Sequence, residues 1–269
     1  MFKDIKQVMK DSVLYGIGNV AVKLVGFILI PLYTDAEYFS TADYGLMGLL
    51  EVTSQILIAV MGLSLYSGLI RWYWDAEYRD KQKTIFFTTL LFTILTSLCI
   101  GSVLWLNVGE LSALLVQQEG YSLGGELPYI LQLLILTSML GAVVEVPQNL
   151  LRLQRKPIYY SLTNIVRLFV TLVLTIYFTI SLHRGVSGVY EAQLVGIVIQ
   201  LLMVLPLVIK NSSCRVDRRC TIQLLVYSYP LVFPAIVGSL LTVFDRYIIN
   251  HFQGLDDVGF YSLGYKVGN

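Results

Sequence analysis

The sequence predicts an all-α fold, a polytopic bundle of transmembrane helices. Of its 269 residues, 56% are hydrophobic and 14% are charged, and the mean hydropathy is +0.69. A soluble domain carries about 25% charged residues, so this chain lacks the polar surface that a soluble protein of its size needs. Apolar runs about 20 residues long recur along it, and each can cross a hydrocarbon core of about 30 Å. The composition excludes a soluble enzyme, a disulfide scaffold and a disordered chain, and the net charge of +1 argues against a nucleic-acid partner.

Seven complete spans and the beginning of an eighth are predicted in chain order. Residues 1–11 form an interfacial lead-in helix, because apolar residues lie on one face and lysines on the other. Residues 12–209 are expected to form a six-helix lobe, residues 210–223 a basic linker, and residues 224–269 the start of a second lobe. The predicted spans are Ser12–Leu32, Tyr44–Tyr66, Thr84–Leu106, Pro128–Leu151, Ile158–Ser181, Gly188–Ile209 and Leu224–Asn250, with an eighth from Val258.

Basic residues give the predicted orientation. Fourteen of them lie in the N-terminal segment and in alternate loops, whereas the opposite loops carry only Arg184. By the positive-inside rule, the N-terminus and these alternate loops are cytoplasmic, in the inner (cytoplasmic) membrane of the cell.

Eight ionisable residues remain inside the predicted spans. A charge at the centre of a bilayer costs at least about 2.5–3.5 kcal/mol, so such residues usually line a hydrated cavity. Glu145 and Glu191 lie near the ends of their spans and are interpreted as interfacial. Asp245 and Arg246 are adjacent, which leaves a structural ion pair open as an alternative to a cavity role. The eight residues are Lys23, Arg167, Arg246, Lys266, Glu51, Glu145, Glu191 and Asp245.

Polar residues recur at helical spacing within the spans, which predicts one polar stripe per helix around a hydrated centre. Pro230 and Pro234, near the start of the seventh span, predict a bend or break typical of transporters that alternate between two states. The stripes are Tyr15, Asn19 and Lys23; Gly48, Glu51 and Gln55; Thr137, Gly141, Glu145 and Gln148; Tyr160, Asn164, Arg167 and Thr171; Gln193 and Gln200; and Ser239, Thr242 and Arg246.

A weak internal repeat relates two segments of the chain. The segment Ser40–Leu50 mirrors Gly254–Gly264, and Asp43 matches Asp257, which lies 214 residues later. Six spans separate the copies, which indicates a parallel repeat about an axis along the membrane normal. We therefore expect a natural protein of about twice this repeat length, of which this chain is a fragment.

Several stretches carry a family resemblance. They are GFILIPLYT (Gly26–Thr34), DYGLMGLL (Asp43–Leu50), RWYWDAE (Arg71–Glu77), FDRYIINHFQG (Phe244–Gly254) and VGFYSLGYKVG (Val258–Gly268). Together they resemble the polysaccharide biosynthesis/export family, the oligosaccharide flippases of the multidrug/oligosaccharidyl-lipid/polysaccharide exporter superfamily.

The resemblance implies two six-helix lobes that face each other across a central cavity. It also implies a transporter, not an enzyme, that flips an undecaprenyl-pyrophosphate-linked oligosaccharide across the cytoplasmic membrane by alternating access. The product would be a surface polysaccharide such as O-antigen, capsule or exopolysaccharide. Catalytic residues and cofactors are not expected. The implied partners are the lipid-linked oligosaccharide, membrane lipids, H+ or Na+ as coupling cation, and other polysaccharide assembly proteins.

Site residues follow from the same resemblance. Basic residues would attract the pyrophosphate and acidic sugars, helped by two asparagines. Glu51 and Asp245 would be candidates for cation coupling. The expected substrate-binding residues are Lys23, Arg167, Arg246, Lys266, Asn19 and Asn164.

Two alternatives stay open. A drug antiporter of the multidrug and toxin extrusion type shares the fold, but its cationic substrates favour an acidic cavity, whereas the deepest charges here, Lys23 and Arg167, are basic. A membrane enzyme, such as a polymerase or ligase, generally needs a sizeable loop to hold its substrates. The longest predicted loop, residues 107–127, spans only 21 residues.

Overall fold

The computed structural model describes residues 28–115 and 125–268. These residues form helices and include no strand, and six helical segments are long and apolar enough to cross a membrane. The predicted all-α polytopic bundle is therefore confirmed. The lead-in helix and most of the first predicted span, with Asn19 and Lys23, lie outside the described residues. The helices are α1 (Thr41–Gly62), α2 (Leu65–Trp72), α3 (Gln82–Leu106), α4 (Val108–Leu115), α5 (Leu127–Leu153), α6 (Pro157–Ile176), α7 (Gly185–Asn211), α8 (Arg218–Phe252) and α9 (Leu255–Gly268).

Two of the differences between the helix boundaries and the predicted spans have a clear local cause. The second span is divided, because Leu63 and Ser64 adopt left-handed backbone angles (φ 45° and 51°) that end α1 before α2 begins. The seventh span begins earlier than predicted, since the Asp217 side chain accepts hydrogen bonds from the backbone N–H groups of Arg219 and Cys220 and so caps α8. Polar and charged residues extend this helix beyond its apolar part, which hydropathy alone does not show.

The loops at one end of the helix bundle are rich in basic residues, and those at the other end are rich in acidic residues. We call the end that carries residues 71–83, 152–156 and 210–219 the basic end, and the end that carries residues 35–43, 107–115, 125–126 and 253–257 the acidic end. At the basic end, Lys81 Nζ lies 2.6 Å from Asp217 Oδ2 and Arg219 Nη2 lies 2.9 Å from Glu77 Oε1. At the acidic end, Arg184 forms an ion pair with Glu191, in keeping with an interfacial position for that glutamate.

The first turns of α8 pack into a core at the basic end. Cys220 and Leu224 are buried there with Leu69 of α2, Phe86 of α3 and Leu150 of α5. The start of the seventh span is thus anchored on helices of the predicted first lobe. The helix then runs without interruption through Pro230 and Pro234, so it bends at most and is not broken there.

At the acidic end, α1 and α9 approach so closely that only glycine fits. A Cβ at Gly45 would lie 1.9 Å from the carbonyl oxygen of Leu255, and a Cβ at Gly259 would lie 2.5 Å from that of Thr41. Thr41 and Leu255, like Gly45 and Gly259, are 214 residues apart, so the repeat predicted from the sequence contacts itself reciprocally. We call this contact the glycine crossing.

Candidate functional site

Three of the predicted site residues meet around Tyr44, where α1, α8 and α9 join. Lys266 Nζ lies 5.7 Å from the ring centroids of both Tyr33 and Tyr44. Arg246 donates from Nη1 to the carbonyl oxygen of Gly48 at 3.1 Å, and its charge also acts on the Tyr44 hydroxyl. We call Tyr44, Glu51, Arg246 and Lys266 the junction site.

Glu51 supplies the negative charge of the junction site. It lies one helical turn beyond Gly48 on the same face of α1, and its side chain is exposed. The carboxylate is within electrostatic range of the hydroxyls of Tyr33, Tyr44 and Tyr190. No salt bridge involves Glu51 within residues 28–115 and 125–268. The four residues of the junction site thus include two cations and one anion, and no salt bridge within the described ranges neutralises either cation.

Asp245 faces α9 and not the guanidinium beside it. Its carboxylate accepts a hydrogen bond from the Tyr261 hydroxyl and another from the backbone N–H of Arg246. The salt bridges of the described chain include none between Asp245 and Arg246. The Arg246 guanidinium instead lies over Tyr265, with its Cζ 5.4 Å from the ring centroid. Asp245 and Arg246, although adjacent in sequence, thus interact with different residues, Tyr261 and Tyr265.

Arg167 and Asn164 lie in a separate polar network between α6 and α7. Arg167 donates from Nη1 to Gln200 Oε1 at 3.1 Å, and Gln200 donates from Nε2 to Asn164 Oδ1 at 3.0 Å. Gly196 makes room for it, since a Cβ there would lie 2.2 Å from Thr171 Oγ1 and 3.5 Å from Arg167 Cγ. Two of the polar stripes that the sequence predicts to face a shared centre therefore bond to each other between α6 and α7.

A cavity of about 520 Å³ opens beside the junction site, towards the basic end. It continues the polar face of α1 from Glu51 to Gln55 and Gly62, and α8 adds Ser239. α5 contributes Glu145, the residue that the sequence analysis placed at the interface. The rest of that stripe turns elsewhere: Thr137 is buried, and Gln148 donates to Thr163 Oγ1 at 2.9 Å. The turn that separates α1 from α2 after Gly62 leaves no pattern in the sequence. Hydropathy therefore does not predict the cavity beside Glu145.

The described ranges contain no cluster of metal-ligating side chains. No group of three or more His, Cys, Asp or Glu residues there could hold a metal ion. The polar groups of the junction site and of the cavity are suited to binding charged or hydroxylated ligands by ion pairing and hydrogen bonding.

Solved structures of transporters share this fold at low sequence identity. A multidrug resistance MATE family transporter of the MOP superfamily, outward-facing, matches with a TM-score of 0.69 and 16% identity over 98% of this chain and 60% of that one. The MATE transporter VcmN of Vibrio cholerae matches with a TM-score of 0.69 and 16% identity over 97% of this chain and 60% of its own. A MOP superfamily transporter from Pyrococcus furiosus, described as having a binding pocket of reverse polarity, matches with a TM-score of 0.68 and 16% identity. The match covers 91% of this chain and 55% of that one. The chain thus spans little more than half the length of these structures.

Sequence comparison gives the family. No curated protein matches the chain in sequence. The family model described as "Polysaccharide biosynthesis protein" matches residues 8–269, nearly the whole chain. This match agrees with the motifs at both ends of the sequence, with the multi-pass helical bundle and with the fold shared with MOP superfamily transporters. The chain belongs to the polysaccharide biosynthesis protein family.

Proposed function

We propose that this protein is a transporter that flips an undecaprenyl-pyrophosphate-linked oligosaccharide across the inner membrane by alternating access, for assembly of a surface polysaccharide. The observation that carries the proposal is the junction site, where Arg246 and Lys266 both lie near Tyr44 and neither forms a salt bridge within the described residues. The family match supports the polysaccharide pathway, and the MOP fold supports transport. On this proposal the protein is not an enzyme.

Arg246 has the chemistry to hold a pyrophosphate. A guanidinium carries five N–H donors in a planar fork that fits phosphate oxygens. Among the described residues, Gly48 occupies one of these donors, and the ring of Tyr265 covers one face of the group. The remaining donors can reach an anion without first breaking an ion pair.

Lys266 adds a second positive charge, and no carboxylate of the described residues forms a salt bridge with it. The ammonium group lies near the faces of Tyr33 and Tyr44, an attraction worth about 0.5–2 kcal/mol. Such contacts orient a cation but leave its charge in place. An incoming diphosphate therefore gains attraction from both Arg246 and Lys266.

The other predicted residues complete the proposed path. Lys23 and Asn19 would come from the first span, and Arg167 and Asn164 from the seam between α6 and α7. Glu51 and Asp245 remain candidates for coupling to H+ or Na+. The N-terminus is proposed to be cytoplasmic, which places the basic end in the cytoplasm, where other polysaccharide assembly proteins would deliver the substrate.

A deletion strain tests this function. Loss of the gene is expected to accumulate lipid-linked oligosaccharide on the cytoplasmic face, and the wild-type gene is expected to restore export. Arg246→Ala and Lys266→Ala should each lower the export rate at least about tenfold, since each removes a charge-assisted contact of about 1.5–3 kcal/mol. Arg215→Ala, at an exposed arginine of the basic end, is the matched control and should export normally. Normal export by both site variants would contradict the proposal.

A second candidate, a cation-coupled drug antiporter, is favoured by a specific observation. The carboxylate of Glu145 lines the cavity, Glu51 lies one helical turn before the cavity residue Gln55, and structures of MATE transporters share the fold. The Pyrococcus furiosus transporter, with its reverse-polarity pocket, suggests that binding pockets in this fold differ in the sign of their charge. Drug efflux by the wild type, without any defect in lipid-linked sugar export in the deletion strain, would decide for the antiporter.

A further inference from the structure

The cavity beside the junction site brings together polar side chains from four separate helices and a turn. Its polar lining comprises Gln55 of α1, Ser64 of the turn after α1, Tyr66 of α2, Glu145 of α5 and Ser239 of α8. The only carboxylate of this lining is Glu145, whose Oε2 lies 3.8 Å from the position of a Cβ on Gly62. Amide, hydroxyl and carboxylate oxygens are ligands for hard cations.

Glu145 has no partner for its negative charge within the described chain. No salt bridge or hydrogen bond there involves its carboxylate. Tyr66 is the other titratable side chain in the cavity lining, and the neighbouring walls from α1 and α8 contribute no charged group. Arg152, two helical turns further along α5, acts on Glu145 only through its field. Its guanidinium is engaged by Tyr160, to whose hydroxyl it donates and over whose ring it lies at 4.6 Å.

The walls around Glu145 include a helix break and a proline. The left-handed residues Leu63 and Ser64 separate α1 from α2, and Ser64 Oγ donates to the carbonyl oxygen of Leu231 at 3.3 Å. Pro234 lines the cavity and has no N–H to donate within α8. A movement of α8 relative to α1 would change the size of this cavity, and hence the hydration of the carboxylate.

We propose that Glu145 binds a small monovalent cation, H+ or Na+, in this cavity and exchanges it as the cavity opens and closes. The inference rests on the proposed transport function and assigns the coupling cation to a residue other than Glu51 and Asp245. An ionised carboxylate without a counterion is unfavourable inside a membrane protein, and either cation neutralises it. The polar side chains around it complete the coordination of Na+, or accept and donate hydrogen bonds to a protonated acid.

Thermal unfolding of the purified protein in detergent tests this site without any substrate. At pH 8, replacing choline chloride by NaCl should raise the Tm of the wild type by about 3 °C or more if Na+ is the ligand, at a concentration well above its Kd. If the ligand is H+, the Tm should be indifferent to Na+ and should rise as the pH falls from 8 to 5.5. Glu145→Gln, which is neutral and nearly isosteric, should lose whichever response the wild type shows, whereas Glu145→Asp should keep it. Glu110→Gln, at an exposed acid of α4, is the control and should respond as the wild type does.

The result separates this site from the transport proposal. Retention of the full wild-type Na+ and pH responses by Glu145→Gln would overturn the cation site, and so would a wild type that responds to neither cation. Because this readout is cation binding, it is independent of which substrate is moved. A failure of Arg246→Ala to impair oligosaccharide export would instead overturn the proposed function and leave the cation site standing.

Discussion

The glycine crossing predicts that a single methyl group will open the acidic end of the bundle. Gly45→Ala places a Cβ 1.9 Å from the carbonyl oxygen of Leu255, where an ordinary contact needs at least 3.4 Å. The two helices must therefore separate by about 1.5 Å at this point, because the obstructing atom belongs to the backbone and cannot rotate away. In an alternating-access transporter, this substitution penalises only the conformation in which α1 and α9 touch.

The size of the effect follows from two opposing terms. Overpacking of this kind costs about 1–3 kcal/mol. Alanine also gains about 1 kcal/mol over glycine in a helix interior, but that gain acts in every conformation in which the residue is helical. The equilibrium should consequently shift about 5- to 150-fold away from the closed acidic end. Gly259→Ala should act in the same direction with a smaller effect, because its Cβ would lie 2.5 Å from Thr41 O.

Cysteine labelling measures this shift. Val258 is fully buried at the crossing, and its Cγ1 lies 4.0 Å from the position of a Cβ on Gly48. Val258→Cys is therefore a reporter that a membrane-impermeant maleimide reaches only when the acidic end opens. The reporter is introduced into a background in which the native cysteines, Cys99, Cys214 and Cys220, are replaced by alanine. The labelling rate from the acidic side then follows the population of the open conformation.

Gly264→Ala is the matched control for this experiment. It lies in the same helix as Gly259, and a Cβ there would meet no atom of the described chain within 4 Å. Its labelling rate should equal that of the reporter alone. If Gly45→Ala labels no faster than Gly264→Ala, the crossing is not a contact that opens during transport, and the reasoning from its geometry is refuted.

Three further predictions concern side-chain contacts at Asp217, Gln200 and Ser40. The hydrogen bond from Lys81 holds the pKa of Asp217 below its usual value. The stabilisation from this pair should therefore be present at neutral pH and decline as the pH falls through the lowered pKa of Asp217. Thermal unfolding of the wild type and of Asp217→Asn between pH 2 and 7 measures it. Gln200→Leu removes the acceptor of Arg167 and should lower the free energy of unfolding by about 1–3 kcal/mol, measured by denaturant unfolding in detergent. Ser40→Ala removes the N-cap of α1 and should cost about 1 kcal/mol in the same assay.

Each of these has a clear contrary result. An Asp217→Asn variant that loses stability in acid as steeply as the wild type would show that the Lys81 pair does not contribute. A Gln200→Leu variant as stable as the wild type would show that the seam between α6 and α7 tolerates an unpaired guanidinium. A Ser40→Ala variant that is no less stable would mean that water replaces the cap fully.

The helical fold could largely be predicted because every membrane span carries the same signal, a long run of apolar residues. Each span must satisfy its backbone internally and present apolar residues to lipid, so length and hydropathy suffice to count helices. Local backbone conformations carry no such signal. Leu63 and Ser64, which adopt left-handed backbone angles, have no feature in the sequence that sets them apart from other apolar-polar pairs. Asp217 caps α8 several residues before the apolar part of that helix begins, so hydropathy does not indicate where the helix starts.

The candidate site was predictable only in part, for a related reason. A polar stripe identifies a helix face but not the helix that this face meets. Arg246 and Glu51 both lie near the Tyr44 hydroxyl, whereas Arg167 donates to Gln200 of the adjacent helix α7. Glu145 was interpreted by its distance from the end of its span, and the cavity that it lines depends on the shape of three other helices.

The most direct test of the central claim is a flipping assay in proteoliposomes. The protein is reconstituted with undecaprenyl-pyrophosphate-linked oligosaccharide, and a membrane-impermeant glycosidase measures how fast the sugar appears on the outer surface. The account predicts protein-dependent transfer that Arg246→Ala slows at least about tenfold. Wild-type vesicles that accumulate a cationic drug but never transfer the lipid-linked sugar would contradict it.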